Sequence, residues 1–137
     1  MRIFLGIFFA TSANFLLGVL GYYLTVNLLP LFELNALINK DLNNLDYIFN
    51  FIHKFFVILA LTWILYKVMP LLDKPRKRVL FIFFIGTIFA VYSEAGFFWS
   101  APSLYWSLLL IISNSFNWLI TGYVLSKFIK PKHLGAL

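Results

Sequence analysis

The chain has 137 residues, of which 62% are hydrophobic and only 12% are charged, with a formal net charge of +6. A soluble domain carries roughly 25% charged residues and about half apolar ones, so this composition indicates lipid as the main solvent. The length fits a single integral-membrane domain over residues 1–137. The sequence contains no cysteine, which excludes disulfides, thiolate metal sites and cysteine nucleophiles.

Four apolar segments are each long enough for the roughly 20 helical residues that cross a bilayer. They cover about residues 3–29, 47–72, 79–99 and 104–129. Backbone amides in lipid need hydrogen-bond partners within their own segment, so all four segments are predicted to be helical. The predicted fold class is an all-α membrane protein with four transmembrane helices in an antiparallel bundle. A cleaved signal peptide is the alternative for the first segment, but its apolar run continues to Leu29, which favours a retained helix.

Residues 31–46 connect the first two segments on the outer side. Their apolar residues recur at helical spacing, which predicts a short amphipathic helix that lies in the membrane interface. These apolar residues are Leu34, Leu37, Ile38, Leu42 and Leu45. Pro30 precedes them, where it either ends the first span or begins the interfacial helix.

Lysine and arginine lie mainly at one end of the predicted bundle. Arg2 precedes the first span, Lys127, Lys130 and Lys132 end the chain, and a basic loop joins spans two and three. The residues assigned to this loop are Lys74, Arg76, Lys77 and Arg78. The positive-inside rule therefore predicts that the loop and both termini are cytoplasmic. The compact size favours a bacterial inner membrane, and the distribution of charge favours lipid over nucleic acid as the partner.

Glu94 is the only charged residue between Val79 and Trp99. A carboxylate in hydrocarbon is costly, so it usually faces a protein interior or a hydrated cavity and has a partner. His53 and Lys54 in span two have a similar predicted depth, and either one is a candidate partner. The candidate intramembrane polar site consists of Glu94, His53 and Lys54 together with Asn50, Asn114 and Asn117. Structural pairing and a transport or proton-relay role are both open for Glu94.

Small and polar residues also follow one face of the first and fourth spans. Small residues allow helix backbones to approach closely, and Asn, Ser or Thr can bond across the contact. The predicted packing stripe consists of Asn14, Gly18, Gly21, Ser107 and Thr121. Helix packing is therefore the simplest interpretation of these residues, while a hydrated pathway is the alternative for Asn114 and Asn117.

The sequence has no glycine-rich phosphate loop, no HExxH zinc motif and no GxSxG nucleophile motif. His53 is the only histidine within a predicted span. No cofactor and no metal site is therefore predicted. The leading function is an accessory or assembly subunit, acting as a homo-oligomer or within a larger membrane complex. A small transporter or channel with a Glu94/His53 polar site is the alternative, and an integral-membrane enzyme is third.

Overall fold

A computed structural model of the protein describes residues 2–28, 44–100 and 104–130, and the side chains of residues 2–24, 44–92 and 108–130. These residues form four α-helices and one short 3-10 helix, and no strand occurs within the described ranges. The helices are α1 (Arg2–Leu28), α2 (Asn44–Val68), α3 (Pro75–Ser100) and α4 (Leu104–Phe128). The all-α prediction is confirmed for this part of the chain.

Three of the helices are long and apolar enough to cross a membrane. The qualifying stretches are Arg2–Leu24, Asn44–Leu71 and Leu108–Phe128. At about 1.5 Å per residue, α1 rises about 40 Å, which exceeds the roughly 30 Å of a bilayer's hydrocarbon core. The chain therefore has the features of a helical membrane protein. The crossing by α3, whose side chains from residue 93 onward lie outside the described ones, stays a prediction.

The outer faces of the helices carry large apolar side chains. Leu16 is 64% exposed, Phe56 is 61% exposed and Ile112 is 64% exposed. Proteins in water rarely leave extended apolar surfaces uncovered, and such surfaces often mark contact with a membrane or a partner. This surface is consistent with helices that face lipid.

Inside the bundle, α1 and α4 are the central helices. The most extensive helix contact joins α3 to α4, followed by α1 with α4 and α1 with α2, whereas α2 and α3 scarcely touch. The buried core takes apolar residues from all four helices, and its fully buried side chains include Ile58, Leu61, Leu65, Ile82 and Leu125. The weak contact between α2 and α3 leaves a gap on that side of the bundle.

The junction between α2 and α3 differs from the sequence prediction. The second helix begins at Asn44 rather than Tyr47, and a 3-10 helix (Met69–Leu71) follows it, closed by a 2.9 Å bond from the Leu72 N–H to the Met69 carbonyl. The third helix begins at Pro75, since proline is favoured in the first turn, where its missing N–H costs nothing.

Because α3 begins early, three of the four residues assigned to a basic loop are helical. Arg76, Lys77 and Arg78 lie in the first turn of α3, and only Lys74 precedes it. A cation in the first turn interacts unfavourably with the helix dipole. At Lys77 this cost is offset by a 2.7 Å ion pair with Asp73. The hydrogen bond from Lys77 lowers the pKa of the Asp73 carboxyl below its ordinary value.

Arg78 joins the start of α3 to the end of α4. Its guanidinium donates to the Ile129 carbonyl, and the residue is only 3% exposed. The last carbonyls of a helix lack partners within the helix and carry partial negative charge, so a buried arginine is favourable there. The predicted outer interfacial helix, by contrast, falls mainly on residues 29–43, which lie outside the described residues.

Candidate functional site

A hydrogen-bonded network of polar side chains crosses three helices in the interior of the bundle. The Lys54 ammonium of α2 donates to the Asn14 side-chain oxygen of α1 at 2.8 Å and to its carbonyl at 3.3 Å. The Asn14 amide nitrogen donates to the Thr121 hydroxyl of α4 at 2.8 Å. The Thr121 hydroxyl in turn donates to the Asn117 carbonyl at 2.7 Å. Asn14 thus joins α1 to both of its neighbours.

The members of this network are deeply placed. Asn14 is 3% exposed and Thr121 is fully buried, while Lys54 is half-buried. A buried polar group without a partner costs about 1–3 kcal/mol, so these bonds remove a penalty as well as hold helices together. The network explains how a cation is tolerated in an apolar helix.

Gly18 provides the space for Lys54. A Cβ atom at Gly18 would lie 2.8 Å from the Lys54 Nζ, whereas one at Gly21 would lie 3.4 Å from the Ser113 Oγ. The distance at Gly21 is an ordinary contact. Of the two glycines in the predicted packing stripe, Gly18 therefore admits a side chain from α2.

An open cleft of about 590 Å³ lies in the gap beside α2, α3 and α4. Its volume lies within the roughly 300–1,000 Å³ range of small-molecule sites. One end is polar and contains Asn14, Asn50, His53, Lys54 and Asn114. Further along α2 the wall becomes apolar, with Val57, Ala60, Leu61 and Ile64. The cleft thus has a gradient of polarity along its length, about 21 Å from Asn50 to Ile64 by helical rise.

Aromatic residues form the remaining walls of the cleft. Phe89 and Tyr92 contribute from α3, and Trp118 contributes from α4 beside Asn117. A mainly apolar lining with a few convergent polar groups is the usual composition of a ligand pocket. The arrangement suits a molecule that has both a polar and an apolar part.

A second cavity of about 250 Å³ adjoins the same polar residues from the α1 side. Asn50, Lys54 and Asn114 line both cavities. Asp46 and Tyr47, near the start of α2, line only the smaller one. Lys54 therefore lies between two open spaces, although its ammonium is bonded to Asn14.

The structure brings together five of the six residues predicted for the polar site. Asn50, His53, Lys54, Asn114 and Asn117 all line the cleft. Glu94 lies in α3, one turn beyond the cleft residue Ala90, and its side chain lies outside the described ones. The predicted pairing of Glu94 with Lys54 or His53 therefore stays a prediction. The packing role predicted for Ser107 also stays a prediction, because its side chain lies outside the described ones.

Sequence reasoning missed the contact between Lys54 and Asn14. The sequence predicts Asn14 as part of a packing stripe and Lys54 as a candidate partner of Glu94. One signal was present in the sequence, because Asn14 carries an amide near the middle of the apolar helix α1. An amide at that depth needs a partner, and a lysine on an adjacent antiparallel helix can provide one.

No family model, curated protein or solved structure matches this chain. Its function is therefore argued from the cleft and from the residues that line it. Among the described residues, no group of three or more His, Asp or Glu side chains could hold a metal ion.

Proposed function

We propose that the protein is a small membrane transport protein that binds its solute in the cleft between α2 and α3. The observation that carries this proposal is the cleft itself, which combines an open volume with His53, Lys54 and four asparagines. Helices that serve only to pack against each other have no need of such a space. Polar groups at membrane depth typically mark a solute or ion pathway.

The proposal includes the orientation predicted from the sequence. Four helices cross a bacterial inner membrane, both termini are cytoplasmic, and the polar end of the cleft lies toward the outside. His53 and Glu94 are the proposed coupling groups, since a histidine and a carboxylate at this depth are suited to proton exchange. His53 is exposed and lines the cleft, which supports its part in the proposal.

An accessory or assembly subunit is the other proposal from the sequence, and the geometry supports it less. In that hypothesis, the polar stripes bind neighbouring helices within a larger complex. Two of the stripe residues, Asn14 and Thr121, bond to each other within one chain. Their hydrogen-bonding capacity is therefore used inside the bundle.

Cysteine accessibility tests the transport proposal without knowledge of the solute. The natural chain has no cysteine, so each single-cysteine variant carries one reactive site. Ala60 lines the cleft, and its neighbour Leu59 is exposed but does not line it. A transporter must expose its binding site to both aqueous sides in turn. We expect a membrane-impermeant maleimide to label Ala60→Cys in both right-side-out and inverted vesicles, and Leu59→Cys in neither.

His53→Cys and Ile52→Cys form a second matched pair near the polar end, since His53 lines the cleft and Ile52 does not. The histidine position should be labelled faster than its neighbour. Labelling of Ala60→Cys from one side only, or from neither, would contradict transport through this cleft. Co-purification of a stoichiometric partner in mild detergent would then favour the subunit proposal.

A further inference from the structure

We infer that the cleft takes a single-chain amphiphile with one negatively charged headgroup, such as a long-chain carboxylate. The inference rests on the proposed function for its site and names the class of solute. The headgroup lies at Lys54, and the chain extends along the apolar part of α2.

The charge of the headgroup follows from the surroundings of Lys54. An ammonium group has three N–H donors, and two of the contacts that Lys54 makes are to neutral oxygen atoms of Asn14. Among the side chains that the structure describes, these contacts orient the ammonium without neutralising it. A charged group in a partly apolar site attracts an opposite charge much more strongly than it would in water. A monoanion at the cleft therefore gains a charge-assisted hydrogen bond that an uncharged alcohol does not.

Amides extend the recognition beyond the single charge. Asn50 and Asn114 line the cleft together with Lys54. Asparagine side chains carry N–H donors suited to the oxygens of a carboxylate. His53 lies in the preceding position of α2 and also lines the cleft. These groups form one polar end that is suited to a compact acidic headgroup.

The shape of the ligand follows from the opposite end of the cleft. Ala60, Leu61 and Ile64 lie about two to three helical turns beyond Lys54 and line the same space. Phe89 and Trp118 add flat apolar walls. Burial of a hydrocarbon chain here contributes about 0.8 kcal/mol for each methylene removed from water. A small inorganic anion would leave this part of the cleft unused.

The test compares ligands that share one chain and differ in headgroup. Radiolabelled dodecanoate, dodecanol and dodecylamine are dialysed against the full-length protein in nanodiscs, and binding to empty nanodiscs is subtracted. We expect specific binding in the order dodecanoate, then dodecanol, then dodecylamine. Acetate should not compete with dodecanoate, because it lacks the chain. Equal binding of the three amphiphiles, preference for the amine, or full competition by acetate would overturn the inference.

A matched pair of substitutions assigns the selectivity to Lys54. Lys54→Gln keeps a donor for Asn14 but removes the charge, and it should weaken dodecanoate binding about tenfold or more while binding of dodecanol is unchanged. Lys67→Gln makes the same change on the same helix, at a residue outside the cleft whose ammonium lies over the Trp63 ring. Dodecanoate binding should be unchanged in this control. Equal effects of the two substitutions would also overturn the inference.

Lys54→Arg keeps the charge and should retain the preference for the carboxylate, which covers the case in which Lys54→Gln fails to fold. The outcome is separable from that of the transport proposal. Selective dodecanoate binding with cleft cysteines labelled from one side only leaves the ligand class standing and removes transport. Labelling from both sides without headgroup selectivity leaves the transport proposal standing and removes the ligand class.

Discussion

Lys54, Asn14 and Thr121 form one continuous hydrogen-bonded path from α2 through α1 to α4. Each donor in this path meets an oxygen at 2.8 Å, within the range of a well-formed bond. Asn14 is central because its amide accepts on one side and donates on the other. At the scale of single residues, this asparagine joins α1 to both α2 and α4.

Replacement of Asn14 by leucine should therefore destabilise the protein more than replacement of Thr121 by valine. Asn14→Leu removes the acceptor of Lys54 and the donor to Thr121, at an expected cost of about 1–3 kcal/mol. Thr121→Val removes one interhelical bond, and such bonds in membrane proteins average about 0.6 kcal/mol. The measurement is the free energy of unfolding in mixed detergent micelles.

Ser126→Ala is the control for this pair, because the Ser126 hydroxyl bonds to the Tyr123 carbonyl within α4. Its loss should have a smaller effect, since no second helix is involved. The effects of Asn14→Leu and Thr121→Val should also be non-additive, as expected for side chains in contact. An Asn14→Leu variant that is as stable as Ser126→Ala would show that the network contributes little.

At the scale of helices, the contact between α3 and α4 is the most extensive in the described bundle and depends on glycine. A Cβ at Gly86 would lie 2.1 Å from Cγ of Trp118, and one at Gly122 would lie 3.0 Å from the Val79 carbonyl oxygen. Neither space is available to a side chain without movement of the opposite helix. The two glycines therefore set the separation of α3 and α4.

Gly86→Ala is expected to destabilise the bundle by about 1–3 kcal/mol, the usual cost of an overpacked core. Trp118 also lines the cleft, so its displacement should reduce ligand binding as well. Gly21→Ala is the matched control, because its Cβ would meet the Ser113 Oγ at an ordinary 3.4 Å. Thermal unfolding in detergent measures both variants. Equal melting temperatures would argue against close packing of Gly86 on Trp118.

The end of α4 should depend on Arg78 in the first turn of α3. Arg78→Met keeps the apolar part of the side chain and removes the bond to the Ile129 carbonyl, and bonds to charged groups contribute about 1.5–3 kcal/mol. Amide hydrogen exchange should increase in the last turn of α4. Arg76→Met, at an exposed position two residues earlier, should leave both exchange and stability unchanged. Unchanged exchange in Arg78→Met would refute this role.

At the scale of the whole molecule, the cleft exists because the ring of helix contacts is incomplete. The α1, α4 and α3 helices pack in sequence, and α2 is held mainly by α1. The Lys54–Asn14 bonds are part of this α1–α2 contact. Other residues of α2 line the cleft. Movement of α2 relative to α3 would change the width of the cleft.

The predicted orientation of the whole chain is open to direct measurement. Lys74→Cys and Lys130→Cys should react with an impermeant maleimide only in inverted vesicles, because both positions are expected to be cytoplasmic. Ser103→Cys, between α3 and α4, should react only in right-side-out vesicles. This pattern requires α3 to cross the membrane. Reaction of Ser103→Cys and Lys74→Cys from the same side would exclude that crossing.

The existence, type and approximate bounds of the helices follow from the sequence. Long apolar runs can satisfy their backbone only as helices, and prolines and charged residues limit where they end. The fourth segment was predicted as about 104–129 and is observed as Leu104–Phe128. The early start of α3 differs from the prediction because its first turn is basic, and a run of charged residues between two apolar segments favours a loop.

Only the tertiary structure decided which faces of these helices meet. Apart from the stripe of small and polar residues on the first and fourth spans, the spans are apolar on nearly all sides, so their sequence periodicity does not show which side is buried. The rotation and depth of each helix depend on packing against the others. The rotation and depth of the helices bring Lys54 to Asn14 and Trp118 to Gly86, and they leave the cleft beside α2 open. The sequence by itself supplied the polar residues of the site, and the packing of the helices determined how they are arranged.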